Sequence, residues 1–367
     1  MTAVLPAGSN HTRLWGLTPR ERLARMAAKQ GLDFASGPGG GPLVANLQYV
    51  FDEAWLRLIA ARANHLVTHG GVPVLANVED LDTRLAVTLA MRDGRAVGAP
   101  GLGVIPFEDS HGPAGAGLHR RQRAFMGRLR PETVRSLERE SYFGAYRRVT
   151  DGLTKYLWPE GALLLTRLAA RFGVTPNQVT ILGALLCIAA ALLFANGWYW
   201  TGLAAGLLFS VLDTVDGQLA RCTLACSWLG KVLDRGIDLI HPPSWGWAWG
   251  AGLHAYGRPL EAETFWAVLA AIVGGSLAQR AIEAAFVARF GIHLAAWRPF
   301  DSRFRLVAAG RDTNMAILAG FLAAGRPDWG LIAVAGWTLT SLAVDTVRLG
   351  QALGARRRGK PVTSWLA

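Results

Sequence analysis

The sequence predicts an α-helical membrane bundle of six transmembrane helices, preceded by a soluble α/β domain. Three observations carry this. The 367 residues are 51% hydrophobic, but unevenly so. Residues 1–150 mix polar and apolar types, whereas 178–350 hold long apolar runs with Trp near their ends, where interfacial anchors sit. Within the first part, short β-favouring stretches alternate with helical ones.

Residues 1–140 form the α/β domain. Stretches 2–5, 43–47, 65–68 and 72–75 read as strands, and 19–30 and 52–63 as helices. The glycine cluster at 37–41 is a surface loop and no P-loop, because no Gly-Lys-Ser/Thr follows it. Residues 141–177 are a linker and a juxtamembrane segment. From 152 to 172, basic residues mix with Leu, Tyr and Trp, which suits an amphipathic helix lying in the membrane interface. Pro176 then sits at a favoured first-turn position and opens the first span.

The six spans cover 178–196, 199–220, 229–250, 264–288, 311–325 and 328–350, followed by a basic tail at 351–367. One side of the bundle carries Arg221, Lys231, Arg289, Arg298, Arg303, Arg305, Arg311 and the tail, and the other only Arg258 and Arg326. By the positive-inside rule both termini and the connection between spans two and three face the cytoplasm. Pro242 and Pro243 are expected to kink span three.

The net charge of +12 follows from this topology. No zinc-finger or RNA-binding signature accompanies it, so no nucleic acid is expected. Cys187, Cys222 and Cys226 are too few for a thiolate metal centre or a disulfide framework and read as packing residues. The first residues lack a basic n-region and a long apolar core, so no cleavable signal peptide is expected.

The chemistry lies between Asp213 and Asp238. Asp213 and Asp216 are spaced i, i+3, and Asp234 and Asp238 i, i+4, so each pair shares a helix face. Four clustered anions in a low-dielectric setting need compensation, and hard cations such as Mg²⁺ supply it. Gly217, Ala220 and Gly230 remove bulk where a ligand or backbone comes close, and Arg221 offers a planar cation suited to phosphate oxygens.

Together these residues spell D-x2-D-G-x2-A-R-x8-G-x3-D-x3-D, with all eight fixed positions filled. This resembles the signature of the CDP-alcohol phosphotransferase family, integral membrane enzymes of phospholipid synthesis. The resemblance implies that an acceptor hydroxyl attacks the β-phosphorus of a CDP-alcohol and CMP leaves. It implies a pair of Mg²⁺ or Mn²⁺ ions held by Asp213, Asp216, Asp234 and Asp238, with Asp238 also the general base. Gly217, Ala220 and Gly230 would make room for cytidine and ribose, Arg221 would touch phosphate and Asn177 would line the entrance. It further implies a homodimer in a bacterial inner membrane, with a CDP-diacylglycerol or a CDP-linked polar alcohol as donor and membrane lipid around it.

The opening of the chain resembles sugar-nucleotide and cytidylyl transferases. Gly8 and Arg13 remain, but Ser9-Asn10-His11 replaces the Gly-rich turn and no Lys precedes Lys29. The domain therefore reads as a degenerate nucleotidyltransferase with a structural or regulatory role. Two rival readings stay open: a bifunctional enzyme whose first domain also makes the CDP-alcohol from CTP, and a catalytically silent lipid-binding scaffold.

Six further polar residues lie in or beside the spans. Arg280 and Glu283 are either functional or a mutually satisfying pair. Arg311 and Asn314 either hold an acceptor phosphate or cap a helix. Asp345 has no evident partner, and His241, just outside the motif, reads as a packed side chain.

Overall fold

The computed structural model describes residues 3–35, 41–98, 100–109, 124–146, 151–225 and 227–366, without the side chains of Leu229, Lys231, Asp234 and Arg235. Most of the expected glycine loop at 37–41, and Cys226, lie outside the described residues. The chain divides into two units. The first comprises Met1–Tyr146, Arg167–Gly173 and Gln218–Ala225, and the second Arg147–Thr166, Val174–Gly217 and Cys226–Ala367.

The first unit is an α/β fold. Its elements are β1 (Ala3–Ala7), α1 (Pro19–Lys29), β2 (Asp33–Phe34), β3 (Leu43–Asn46), β4 (Tyr49–Phe51), α2 (Glu53–Ala60), β5 (His65–His69), β6 (Val72–Asn77), α3 (Leu81–Asp93), β7 (Gly103–Pro106), β8 (Met126–Arg128) and α4 (Val134–Ala145). A six-stranded mixed sheet runs β2-β1-β3-β6-β5-β7, with β4 and β8 paired separately. β1 continues past the expected end through Pro6, which pairs with Ala45 of β3. Proline is tolerated there because β2 pairs only with Ala3 and Val4, so no ladder partner on that side wants the missing N–H. Thr18 and Glu21 form a capping box that starts α1. α2 ends at Ala60 rather than 63, ahead of Asn64 at φ +55°. Trp55 is fully buried and donates its indole N–H to the Ala124 carbonyl at 3.0 Å.

The second unit is helical. α5 (Gly152–Tyr156) and α6 (Pro159–Arg171) replace the single amphipathic helix expected at 152–172. Pro159 breaks it, since proline disfavours helical geometry at the residue before it. α7 (Pro176–Ala195), α8 (Tyr199–Cys222), α9 (Trp228–Ala255), α10 (Ala262–Phe290), α11 (Pro299–Phe304), α12 (Arg311–Ala323) and α13 (Pro327–Arg357) follow. Thr175 and Gln178 form a capping box with Pro176 at the first helical position, where the sequence places the start.

Among the described residues four helices, α7, α8, α10 and α13, are long and apolar enough to cross a membrane, against the six spans expected. α9 has the length but carries Lys231, Asp234, Arg235 and Asp238 in its first turns, then Trp, Gly, Pro and His in place of strongly apolar residues. Pro242 and Pro243 lie within its continuous range. α12 has 13 residues, about 20 Å of helix against a hydrocarbon core of about 30 Å.

α7 and α9 pack closely through Gly252, where a Cβ would come within 1.9 Å of the Phe194 carbonyl oxygen. Tyr199 stacks on Trp249 at 4.1 Å and donates its hydroxyl to that residue's carbonyl at 2.7 Å.

α8 ends in a Schellman cap within the first unit. The Ala225 N–H donates to the Ala220 carbonyl at 2.9 Å and the Leu224 N–H to that of Arg221 at 3.4 Å. The left-handed position, usually glycine, is filled by Leu224 at φ +56°, at a conformational cost of about 1–2 kcal/mol.

Candidate active site

In the second unit Asp213 and Asp216 on α8 and Asp238 on α9 take partners from α7 and α12. Asp213 and Asp216 lie one turn apart on α8, as their spacing requires. Asp216 is buried and accepts a 2.6 Å hydrogen bond from Thr180 Oγ1 on α7. Asp213 accepts a 2.5 Å hydrogen bond from Arg311 Nη2, at the start of α12. Arg311 Nη1 is 4.0 Å from Asp238 Oδ1 on α9. One guanidinium therefore stands between the first and last acids of the motif, which come from different helices.

Arg311 itself breaks a local rule. A cation at a helix N-terminus opposes the macrodipole, and here it is held by acids. Its Nε lies 3.7 Å from Asp312 Oδ1, and its plane sits 4.5 Å over the Phe209 ring. Among the described residues, Nε and Nη1 are nonetheless buried without a hydrogen-bond partner. Asp312 is fixed in turn by Ser210 Oγ and Thr154 Oγ1, both donating at 2.8 Å. The Asp238 side chain is 44% exposed, against 12% for Arg311, so a reactant can reach the carboxylate but not the far face of the guanidinium.

Asn177, in the first turn of α7, accepts a 2.8 Å hydrogen bond from Ser227 Oγ. Ser227 caps α9 by accepting the Gly230 N–H at 2.9 Å. A Cβ on Gly230 would lie 2.9 Å from Asn177 Oδ1, so the glycine makes room for this pair. Gly217 follows Asp216 on α8, while Ala220 and Arg221 belong to the stretch Gln218–Ala225 that clusters with the first unit. The side chain of Asp234 lies outside the described residues.

Arg280 and Glu283 take different partners. Arg280 donates to the Asp238 carbonyl, and Glu283 meets His293 Nδ1 at 2.6 Å. His241 packs edge-on against Trp245 and Phe209, as a core side chain. Asn314 Oδ1 is buried without a hydrogen bond, and Asp345 pairs with Gln279.

Sequence reasoning assigned no role to Thr180, Ser210, Thr154 or Asp312. Only Asp312 left a signal, as a carboxylate beside Arg311 at the head of a short apolar run. The three hydroxyls lie on other segments and look like ordinary helix residues.

Among the described residues no group of three or more His, Cys, Asp or Glu is disposed to hold an ion, a census that leaves out Asp234. The donors present are nevertheless anionic oxygens alone, the set that suits a hard divalent cation. Arg311 already holds positive charge between two of them. The residues fit such an ion.

The fold and site define an integral membrane protein with a carboxylate-lined site built from helices. Residues 173–324 match the family model described as CDP-alcohol phosphatidyltransferase. A phosphatidylinositol phosphate synthase from Mycobacterium bovis is 36% identical over 97 residues, 26% of this chain and 45% of its own. An archaetidylinositol phosphate synthase from Pyrococcus horikoshii is 38% identical over 78 residues, 20% of this chain and 40% of its own. A bifunctional IPC transferase and DIPP synthase from Rubrobacter xylanophilus is 32% identical over 162 residues, 44% of this chain and 34% of its own. The chain thus spans less than half the length of these curated relatives. The crystal structure of Mycobacterium tuberculosis phosphatidylinositol phosphate synthase with CDP-DAG bound is similar at TM-score 0.41 and 21% identity, covering 51% of this chain and 92% of that one. The family and the relatives named synthases are CDP-alcohol phosphotransferases.

Proposed function

We propose that this protein transfers a substituted phosphate group from a CDP-alcohol to an acceptor hydroxyl and releases CMP, with a divalent ion required. The observation that carries the reading is the Arg311 guanidinium shared by Asp213 and Asp238. It supports a single site built from both halves of the acid motif.

Asp213, Asp216, Asp234 and Asp238 would hold Mg²⁺ or Mn²⁺, a pair of ions in the reading by resemblance, which would neutralise the pyrophosphate and the departing CMP. The acceptor oxygen bonds to the β-phosphorus, the bond from that phosphorus to the bridging oxygen of CMP breaks, and the acceptor proton passes to the Asp238 carboxylate. The exposure of Asp238 suits that role. Thr180 keeps Asp216 oriented, and Asp312, held by Ser210 and Thr154, keeps Arg311 oriented.

A lipid donor of the CDP-diacylglycerol type is supported by an apolar groove of about 360 Å³ in the second unit, lined by Leu153, Leu157, Trp200, Leu203, Leu207 and Met315. Leu207 precedes Asp213 on α8 and Met315 follows Arg311 on α12, so groove and polar site draw on the same two helices. The names of the mycobacterial and archaeal relatives support an inositol-phosphate type of acceptor. In this reading both termini and the site face the cytoplasm, and the enzyme is a homodimer.

The test is CMP release by the full chain in lipid nanodiscs with Mg²⁺, across a panel of CDP donors. Release from a CDP-diacylglycerol and an inositol phosphate is expected; no release from any donor rejects the reading and favours a silent scaffold. A second reading, that the first unit also makes a CDP-alcohol from CTP, is favoured by the bifunctional Rubrobacter relative. CTP-dependent pyrophosphate release would establish it.

A further inference from the structure

The carboxyl end of α8 is unusual in how its carbonyls are satisfied. A helix leaves its last carbonyls without intrahelical donors, and here each has a partner within the first unit. The Leu219 carbonyl takes the Thr223 N–H at 2.9 Å and its hydroxyl at 2.6 Å. Those of Ala220 and Arg221 take the N–H groups of Ala225 and Leu224. The final two are met from the far end of the sequence. Arg22 Nη1 donates to the Cys222 carbonyl at 2.7 Å, and Arg25 Nη1 to that of Thr223 at 2.7 Å.

Arg22 is 4% exposed and Cys222 3%, so this contact is sealed from water, while Arg25 stays exposed. Burial pushes the Arg22 guanidinium down to about 10, still charged at neutral pH. A cation at a helix C-terminus is favoured by the macrodipole.

Leu224 adds a second, independent peculiarity. A glycine at the left-handed position would let the helix end here by its own backbone preference. Leucine resists that conformation. Its side chain packs against the core of the α/β unit that contains Leu23, Met26, Trp55 and Leu56. The cap is therefore conditional: it exists while the arginines hold the carbonyls and the core holds the leucine.

We propose that Arg22 and Arg25 are positioning residues that, with Leu224 pegged in the α/β core, fix the carboxyl end of the acid-bearing helix and so set the register of Ala220 and Arg221. The folded α/β unit then has a task that needs no nucleotide. It keeps α8 from fraying or extending at the turn that leads into α9.

The test uses the full chain in lipid nanodiscs and reads amide hydrogen exchange over 219–225, which does not depend on catalysis. Arg22→Met with Arg25→Met is expected to speed exchange there at least tenfold while the sheet strands keep their protection. Arg22→Lys should restore most of it, and Leu224→Gly should leave it intact. Arg25→Met alone, at a less buried position, gives the same local loosening to a smaller degree if the double variant does not fold. Unchanged exchange at 219–225 in the double variant, or in Arg25→Met where the double variant does not fold, overturns the proposal. So does loosening that spreads evenly through the sheet, which would make the arginines ordinary core residues.

The second readout rests on the phosphotransfer proposed above. The loosened variants should lose about tenfold in kcat for CMP release, with donor KM within twofold of the parent and recovery in Arg22→Lys. A loosened cap with unchanged kcat overturns the positioning role. Absence of CMP release in the parent protein would retire the phosphotransfer reading and leave the exchange result to decide the cap.

Discussion

Two buried arginines of the helical unit meet carboxylates in opposite ways. Arg348 on α13 holds Asp301 through Nε at 2.5 Å and Nη2 at 2.7 Å, donates Nη1 to Gln351 and lies against Trp297 and Phe300. All three of its nitrogens are used, and Asp301 is buried with it. Arg311 is about as buried, yet it makes one short hydrogen bond, to Asp213, and leaves Nε and Nη1 without any. A saturated pair holds structure together. Arg311 instead places an incompletely bonded cation behind part-exposed acids that a ligand can reach, and this difference separates scaffold from site.

The comparison can be broken first at the acid nearest solvent. Asp238→Asn should lower CMP release by about 10²–10⁴-fold, the range for losing a general base, with donor binding retained in an equilibrium binding assay. Turnover within tenfold of the parent would remove Asp238 from the role of base. Asp213→Ala should abolish Mn²⁺ binding measured by electron paramagnetic resonance on purified protein. Unchanged stoichiometry would remove Asp213 as a ligand.

The arginines themselves give the sharpest contrast. Arg348→Met strands a buried carboxylate and should cost about 3–5 kcal/mol, read as a lower midpoint in denaturant, with CMP release per folded molecule unchanged. Arg311→Met should show the reverse: turnover lower by about 10²-fold, the scale of one lost electrostatic contact to a reacting group, and a smaller stability loss because Asp213 and Asp238 can be hydrated. Equal stability losses would erase the distinction. The smallest effect is expected at Gly230→Ala. Displacing Asn177 by a few tenths of an ångström should destabilise by about 1–3 kcal/mol and reduce turnover several-fold. Parent-like melting and rate would show that Asn177 moves freely.

Much of this was legible in the chain. Period and capping chemistry located β3, β5, β6, α1 and α7 to within a few residues, because Thr18-Pro19 and Thr175-Pro176 are local signals. The i, i+3 spacing of Asp213 and Asp216 anticipated a shared helix face, but the Arg311 guanidinium between Asp213 and Asp238 was not foreseen. Contacts set by tertiary packing were not legible. Nothing local to Thr180, Ser210 or Thr154 says that their hydroxyls meet acids 36, 102 and 158 positions away. Two of the six expected spans, α9 and α12, do not meet the length and apolarity of a crossing helix among the described residues, for a related reason. α9 is lined with Trp, Gly and the motif's own charges, and α12 has the composition of a span without its length. The Schellman cap was hidden as well, since leucine stands where glycine would have announced it.

The shortness of α12 has a consequence for where the reaction occurs. If Arg326, paired with Asp328 at 2.7 Å, marks one interface, a helix of about 20 Å ends about 10 Å below the opposite surface of a typical bilayer. Arg311 and the acids around it would then lie in a sunken basin, walled by longer neighbours and floored by apolar side chains. A water-soluble acceptor would have to descend into that basin, while a lipid donor could enter sideways with its tails never leaving the hydrocarbon. The two substrates would approach along perpendicular routes and meet only at the carboxylates.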